Sequence, residues 1–135
     1  MEIVKVTYEN GLKTKCLHLQ SEKTIETAAP VDNNGDGSSF SPTDLLCTTL
    51  ASCCITIMAI KSAANGFELG AIETKVSKLM NLSPRRVGKI EIGFSFDRNY
   101  SEDQKRILKD AAENCPVYLS LHPDTKKELH FIYPS

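Results

Sequence analysis

Ser41-Pro-Thr-Asp-Leu-Leu-Cys-Thr-Thr-Leu-Ala-Ser-Cys-Cys-Ile-Thr-Ile-Met-Ala-Ile-Lys-Ser-Ala-Ala-Asn-Gly66 carries a start signal, an uninterrupted body and a stop signal for one long helix. Ser41 is a capping residue, Pro42 suits the first helical position, and Asp44 at the third completes a capping box. From Leu45 to about Asn65 no breaker intervenes, and Asn65-Gly66 ends the run. Leu46, Leu50, Cys53, Ile57, Ile60 and Ala64 fall on one stripe, but Leu45, Ala51, Ile55 and Ala59 make the other sides apolar too. A helix apolar on most faces must be covered on most faces. In a small domain that predicts a central helix, packed across a subunit interface. The apolar run Leu45 to Ile60 is shorter than the roughly 20 residues of a membrane span and includes Thr48, Thr49, Ser52 and Thr56, so it reads as a buried helix without a membrane partner.

Toward the N-terminus, Glu2 to Tyr8 alternates as a strand does, and Asn10-Gly11 marks a hairpin because both residues tolerate positive φ. Lys13 to Gln20 forms the next strand and Lys23 to Thr27 a third. Asp32-Asn-Asn-Gly-Asp-Gly-Ser-Ser is an exposed polar loop. Toward the C-terminus, strands are expected at Ala71 to Leu82 and Val87 to Phe96, joined through Ser83-Pro-Arg-Arg, with clean alternation in Lys89-Ile-Glu-Ile-Gly-Phe-Ser-Phe. Ser101-Glu-Asp-Gln opens a second helix that runs to about Asn114. Pro116 limits it by lacking an amide hydrogen and disfavouring helical geometry at Cys115. A helical turn near Tyr118 to Leu121 and a strand from Glu128 to Tyr133 complete the order. Strand hairpins around two helices indicate the α+β class, in one domain covering residues 1–135.

The chain has 135 residues, 41% hydrophobic and 24% charged, with a formal net charge of -1. That length buries roughly two-thirds of the unfolded surface without a disulfide framework. The balanced charge gives no polyelectrolyte signal, so nucleic acid is not an expected partner. Met1-Glu-Ile-Val-Lys-Val lacks an apolar signal core, which makes the cytoplasm the expected location. Cys16, Cys47, Cys53, Cys54 and Cys115 are odd in number and contain no C-x-x-C pair, which argues for reduced thiols and against a zinc site.

Asp32-x-Asn34-x-Asp36-Gly37 imitates the opening of a calcium loop, but its twelfth position is Thr43, inside the helix start, where a bidentate glutamate is required. His18, His122 and His130 are scattered and favour no metal. Cys53 and Cys54 lie mid-helix, where a buried cysteine usually acts as a small hydrophobe. Cys115 differs, because a helix end before proline can expose its sulfur. Two thiols on adjacent helices can join if their Cα atoms approach to about 4.4–6.8 Å.

The run Phe40-Ser-Pro-Thr-Asp-Leu-Leu-Cys-Thr-Thr-Leu-Ala-Ser-Cys resembles the pattern of OsmC/Ohr proteins, in which Ser/Asn-Pro, an acid and Leu lead a small-residue helix to a cysteine. Asn114-Cys115-Pro116-Val117 resembles the family's second cysteine motif, and the element order extends the likeness over nearly the whole chain. The resemblance implies an OsmC-like fold of antiparallel sheets around two central helices, an intertwined homodimer, and a site at the subunit interface. It implies reduction of hydroperoxides by two cysteines with no metal or flavin cofactor. By motif, Cys53 matches the peroxidatic thiol, Cys115 the resolving thiol and Asp44 the acidic position; Cys54 is a neighbour whose role the motif does not define.

In such a cycle the Cys53 thiolate attacks the peroxide and becomes a sulfenic acid, Cys115 condenses with it to a disulfide, and an external dithiol reductant restores both. Cys53 lies too far along its helix for the N-terminal dipole to help, so a cation is needed. Active members use an arginine ordered by an acid. Here no arginine precedes Arg85, and Arg85 or Arg86, or Lys13 or Lys15, would have to substitute, although lysine lacks the planar fork. Asp44 is roughly 13.5 Å from Cys53 along an ideal helix, which favours its capping role. Leu50, Phe40 and Tyr118 are expected to line an apolar pocket that prefers organic hydroperoxides. The alternative is a non-enzymatic dimeric protein of the same fold that binds a small apolar ligand or senses redox state.

Overall fold

Asn10 and Gly11 take φ values of 84° and 74°, with Leu12 at 58°. This left-handed run reverses the chain between β1 (Val4–Tyr8) and β2 (Lys13–His18), as the Asn-Gly pair predicts. In the computed structural model, which describes residues 1–135, a third strand β3 (Thr24–Ala28) adds to β2, giving an antiparallel sheet in the order β1-β2-β3. The polar loop after it contains a 3-10 turn at Val31–Asn33. Two compact units divide the chain, Met1–Leu46 and Cys47–Ser135, and this first sheet belongs to the former.

Helix α1 spans Pro42–Ala64. The Ser41 hydroxyl accepts the Asp44 amide at 3.0 Å and the Asp44 carboxylate accepts the Ser41 amide at 2.9 Å, which is the reciprocal capping box expected. At the other end Gly66, at φ 78°, allows its amide to reach the Ala63 carbonyl while the Phe67 amide reaches that of Ser62. This pair of bonds is a Schellman stop, and it satisfies carbonyls that would otherwise end unpaired.

The second unit holds β4 (Ile72–Leu82), β5 (Arg85–Phe96), α2 (Glu102–Glu113), α3 (Pro116–Ser120) and β6 (Lys126–Ile132). Ser101 and Gln104 form a second capping box at the start of α2. The α+β class agrees with expectation, and the strands form two three-stranded sheets, but antiparallel pairing is not universal. Strand β6 runs parallel to β5, Lys89 opposite Lys126 and Ser95 opposite Ile132, so the second sheet is mixed in the order β4-β5-β6. The cause is the connection: α2 and α3 carry the chain back along the sheet before β6 begins, as a parallel crossover requires.

Strand β5 alternates as its sequence does and buries Ile90, Ile92, Phe94 and Phe96. Those side chains share a core with Leu108, Ala111 and Ala112 of α2 and with Cys47, Leu50, Ala51, Cys54 and Met58 of α1. Each large aliphatic or aromatic residue so buried contributes about 1.5–3 kcal/mol. The inward face of α1 is therefore rotated from the expected stripe: Leu50 lies on it, but Leu46 and Ile60 are exposed, and Cys53 and Ile57 are only partly buried. With apolar residues on every side, periodicity could not select the face that packs. By length and composition α1 could cross a membrane; its inward stripe is instead part of the core of the second unit.

Candidate functional site

Helix α1 turns Cys54 inward and leaves its neighbour Cys53 partly exposed, since successive helical positions differ by about 100°. Facing them is the junction of α2 and α3. Asn114 ends α2, Pro116 takes the first position of α3, and Cys115 between them is extended at φ -70° and ψ 152° and serves as the N-cap of α3. A proline suits that first position because no amide hydrogen is needed there. The Cys115 sulfur accepts the Tyr118 amide at 3.4 Å.

This construction brings the sulfurs of Cys54 and Cys115 to 3.8 Å, with neither residue exposed to solvent. The Cys54 thiol lies 3.5 Å from the Ala112 carbonyl oxygen, to which it donates. Cys53 bears on the ionisation of the Cys115 thiol as well, raising it. All five cysteines are free. Burial, then the charges of Cys115 and Cys53, pushes the Cys54 thiol well above its usual range. Burial also pushes Cys115 up, opposed by the Tyr118 amide and reinforced by Cys53. Burial raises the ordinary thiol value because a thiolate loses hydration that the apolar core does not replace. No cation is among these causes.

Among the other candidates, Asp44 is partly buried and holds the Ser41 amide in the capping box. Arg85 and Arg86 are the first two residues of β5, opposite Leu82 and Asn81, rather than in a connecting loop; Arg85 is exposed and Arg86 partly buried. Lys13 pairs with Asp36 at 3.0 Å. Leu50 is wholly buried, which corrects the expectation that it lines a pocket, while Phe40 is exposed and Tyr118 partly so. Sequence reading passed over Lys127. Its ammonium lies 5.1 Å from the centre of the Tyr118 ring, and it donates to the Thr125 carbonyl at 3.0 Å. Tyr118 is itself raised by burial and then by the charges of Glu113, Cys54 and Cys115.

Two further clusters carry less chemistry. In the loop that imitates a calcium site, the Ser38 side chain, then the Lys13 ammonium, hold the Asp36 carboxyl at about 2, so the protein itself satisfies that carboxylate. On the second sheet Glu91, Glu128 and His130 bring potential ligand atoms within 4.8 Å of one another. Only strand register unites them, which is why spacing along the chain gave no sign of it. His130 bonds Glu91 at 2.9 Å, and Glu128 is held by Lys126 at 3.0 Å and Lys89 at 3.6 Å. Two ammonium groups around one of the carboxylates make this an ion-pair network.

A family profile described as OsmC-like protein matches residues 35–130. Among solved structures, a Psychrobacter arcticus 273-4 protein, described as a candidate osmotic stress induced and detoxification response protein, is 41% identical. The match covers 97% of this chain and 96% of that one with a TM-score of 0.93. The organic hydroperoxide resistance protein OsmC of Legionella pneumophila shares the fold at a TM-score of 0.78 and 12% identity, covering 98% of each chain. The organic hydroperoxide resistance protein OhrB of Bacillus subtilis does so at a TM-score of 0.66 and 17% identity, covering 95% and 96%. A search of curated proteins found no match.

Proposed function

This chain belongs to the OsmC-like protein family, and from that membership we propose that it is a thiol-dependent hydroperoxide reductase preferring organic hydroperoxides, with Cys53 as the peroxidatic and Cys115 as the resolving thiol. The observation that carries this reading is the 3.8 Å approach of the α1 sulfur of Cys54 to Cys115 at the α2–α3 junction, with Cys53 next to it on α1 and raising the Cys115 thiol. Cys53 is the member of that group with access to solvent, so it is the one a dissolved peroxide meets first.

As thiolate, Cys53 attacks one oxygen of R–O–O–H. The O–O bond breaks, the alcohol leaves with a proton, and sulfur keeps the other oxygen as a sulfenic acid. Cys115 attacks that sulfur, water departs, and a disulfide joins the two. An external dithiol reduces it by two exchanges, becoming a disulfide itself. Every step draws on sulfur chemistry alone. Tyr118, with the Lys127 ammonium over its ring, and the exposed Leu119 favour an apolar substituent on the peroxide. Homodimerisation, by which exposed apolar residues such as Ile60, Leu79 and Leu82 would be covered, and a cytoplasmic location belong to the same proposal.

Intact mass after one equivalent of cumene hydroperoxide tests it. A loss of two hydrogens is expected, with Cys53→Ser abolishing turnover; thiols that stay free at both positions remove the proposal. One observation favours a second reading, a dimeric small-ligand-binding or redox-sensing protein: the thiols are set by burial and by each other rather than by an adjoining cation. Peroxide consumption no faster than that of an unfolded control, with an apolar ligand retained in native mass spectrometry, selects that reading.

A further inference from the structure

We propose that Cys54 is a third redox residue, which takes Cys115 from Cys53 by thiol–disulfide exchange, so that the settled oxidised protein holds a buried Cys54–Cys115 disulfide and a free Cys53 thiol. The proposal rests on the peroxidase reading for its physiological oxidant, but the exchange itself needs only a disulfide at Cys53.

Three observations carry it. The Cys54 and Cys115 sulfurs already lie 3.8 Å apart, so closing to a disulfide bond of about 2.05 Å takes a movement of under roughly 2 Å. Both residues are wholly buried, whereas Cys53 is partly exposed. Finally, Cys53 and Cys54 both act on Cys115 but are poorly placed to join each other. Adjacent residues are about 3.8 Å apart at Cα, below the roughly 4.4 Å at which disulfides begin. The two α1 thiols therefore compete for one partner.

The exchange balances without an added reagent. The Cys54 sulfur attacks the Cys115 sulfur of the Cys53–Cys115 disulfide, the Cys54–Cys115 bond forms, and Cys53 leaves as a thiolate that takes the proton Cys54 gives up. The two-electron oxidation stays within the protein. The leaving group sets the direction: Cys53 departs at a partly exposed position where water stabilises its thiolate, whereas in the reverse step Cys54 would have to leave as a thiolate inside the core. An external dithiol would then recover the stored equivalent only through Cys53, by the reverse step.

Reduced protein is treated in parallel with one equivalent of diamide and one of cumene hydroperoxide, then quenched with acid at intervals. Free thiols are blocked with N-ethylmaleimide in denaturant, disulfides are reduced and labelled with iodoacetamide, and peptide fragmentation between positions 53 and 54 locates the second label. The label is expected first at Cys53 with Cys115, and in the settled protein at Cys54 with Cys115. Cys54→Ser and Cys54→Ala should both stop at the Cys53–Cys115 pair, with circular dichroism verifying the fold. In Cys53→Ser, diamide should form the Cys54–Cys115 pair at least about tenfold more slowly, since the buried thiols lose their exposed relay. A settled wild-type label on Cys53, or undiminished speed in Cys53→Ser, overturns the proposal. If cumene hydroperoxide leaves all thiols untouched while diamide yields the Cys54–Cys115 pair, the exchange stands and the peroxidase reading fails. If peroxide is consumed while the label stays fixed at Cys53, the peroxidase reading stands and the exchange fails.

Discussion

Raising the pH above 8 is expected to destabilise the reduced protein through Cys54 and Cys115. Burial is the leading cause that lifts both thiols above their ordinary range, so the native state keeps two protons that the unfolded chain gives up. The unfolded state then binds fewer protons, and the dependence of unfolding free energy on pH is negative. The stability is therefore fully present below the ordinary thiol value near 8.5, and is lost from there up toward the raised native values. With each fully released proton worth about 1.4 kcal/mol per pH unit, Cys54 alone removes up to about 2 kcal/mol between pH 8 and 10, and Cys115 adds to the loss in the same direction. Tyr100, Tyr118 and Tyr133, all raised chiefly by burial, extend the loss above pH 10 in the same direction. Urea unfolding at fixed protein concentration, with a phosphine reductant present, measures the effect. Cys54→Ala should lose about 1 kcal/mol at pH 7 for the missing sulfur contacts, and should show a clearly shallower decline than wild type up to pH 10. A wild-type stability that stays level to pH 10, or a variant with the full decline, would refute the reasoning.

Two other perturbations are read by unfolding. At Gly35 an added Cβ would lie 1.8 Å from the Ala29 carbonyl oxygen and 2.6 Å from its Cβ. Backbone atoms cannot rotate aside, so Gly35→Ala should cost at least about 2 kcal/mol, and a denaturation midpoint like that of wild type would show that the loop yields. Ser101→Ala removes the hydroxyl that accepts the Gln104 amide at 3.1 Å. A loss of about 0.5–2 kcal/mol is expected, with faster amide exchange in the first turn of α2; an unchanged Gln104 amide would contradict it.

Local chemistry was the legible part of this fold. Ser41-Pro42-x-Asp44 and Ser101-x-x-Gln104 specify helix starts through their own side chains, and Asn10-Gly11 specifies a reversal, so each is fixed by residues a few positions apart. What depends on distant partners was hidden. The apolar residues around α1 left its inward face open, and the rotation that buries Cys54 rather than Cys53 follows only once the sheet and α2 are in place. Alternation in β5 shows which side faces the core but not the direction of the strand beside it. At the site, the two cysteine motifs pointed to the α1 and Cys115 thiols. The closeness of Cys54 to Cys115 was invisible, because adjacent residues of one helix share a motif while facing differently. Lys127 was missed for the same reason as the Glu91, Glu128 and His130 group: each acquires its neighbours through strand β6.

The parallel pairing of β6 also bears on how the second unit assembles. Strands β4 and β5 are joined across Ser83 and Pro84 and can zip together from their turn. Strand β6 reaches β5 only after the intervening segment, with α2 and α3, has collapsed onto the sheet. Closing that long excursion costs chain entropy before its hydrogen bonds form, which places β6 late in folding. Partial opening should reverse that sequence, releasing β6 while the β4–β5 hairpin persists, so native-state amide exchange would resolve the two strands into separate cooperative steps.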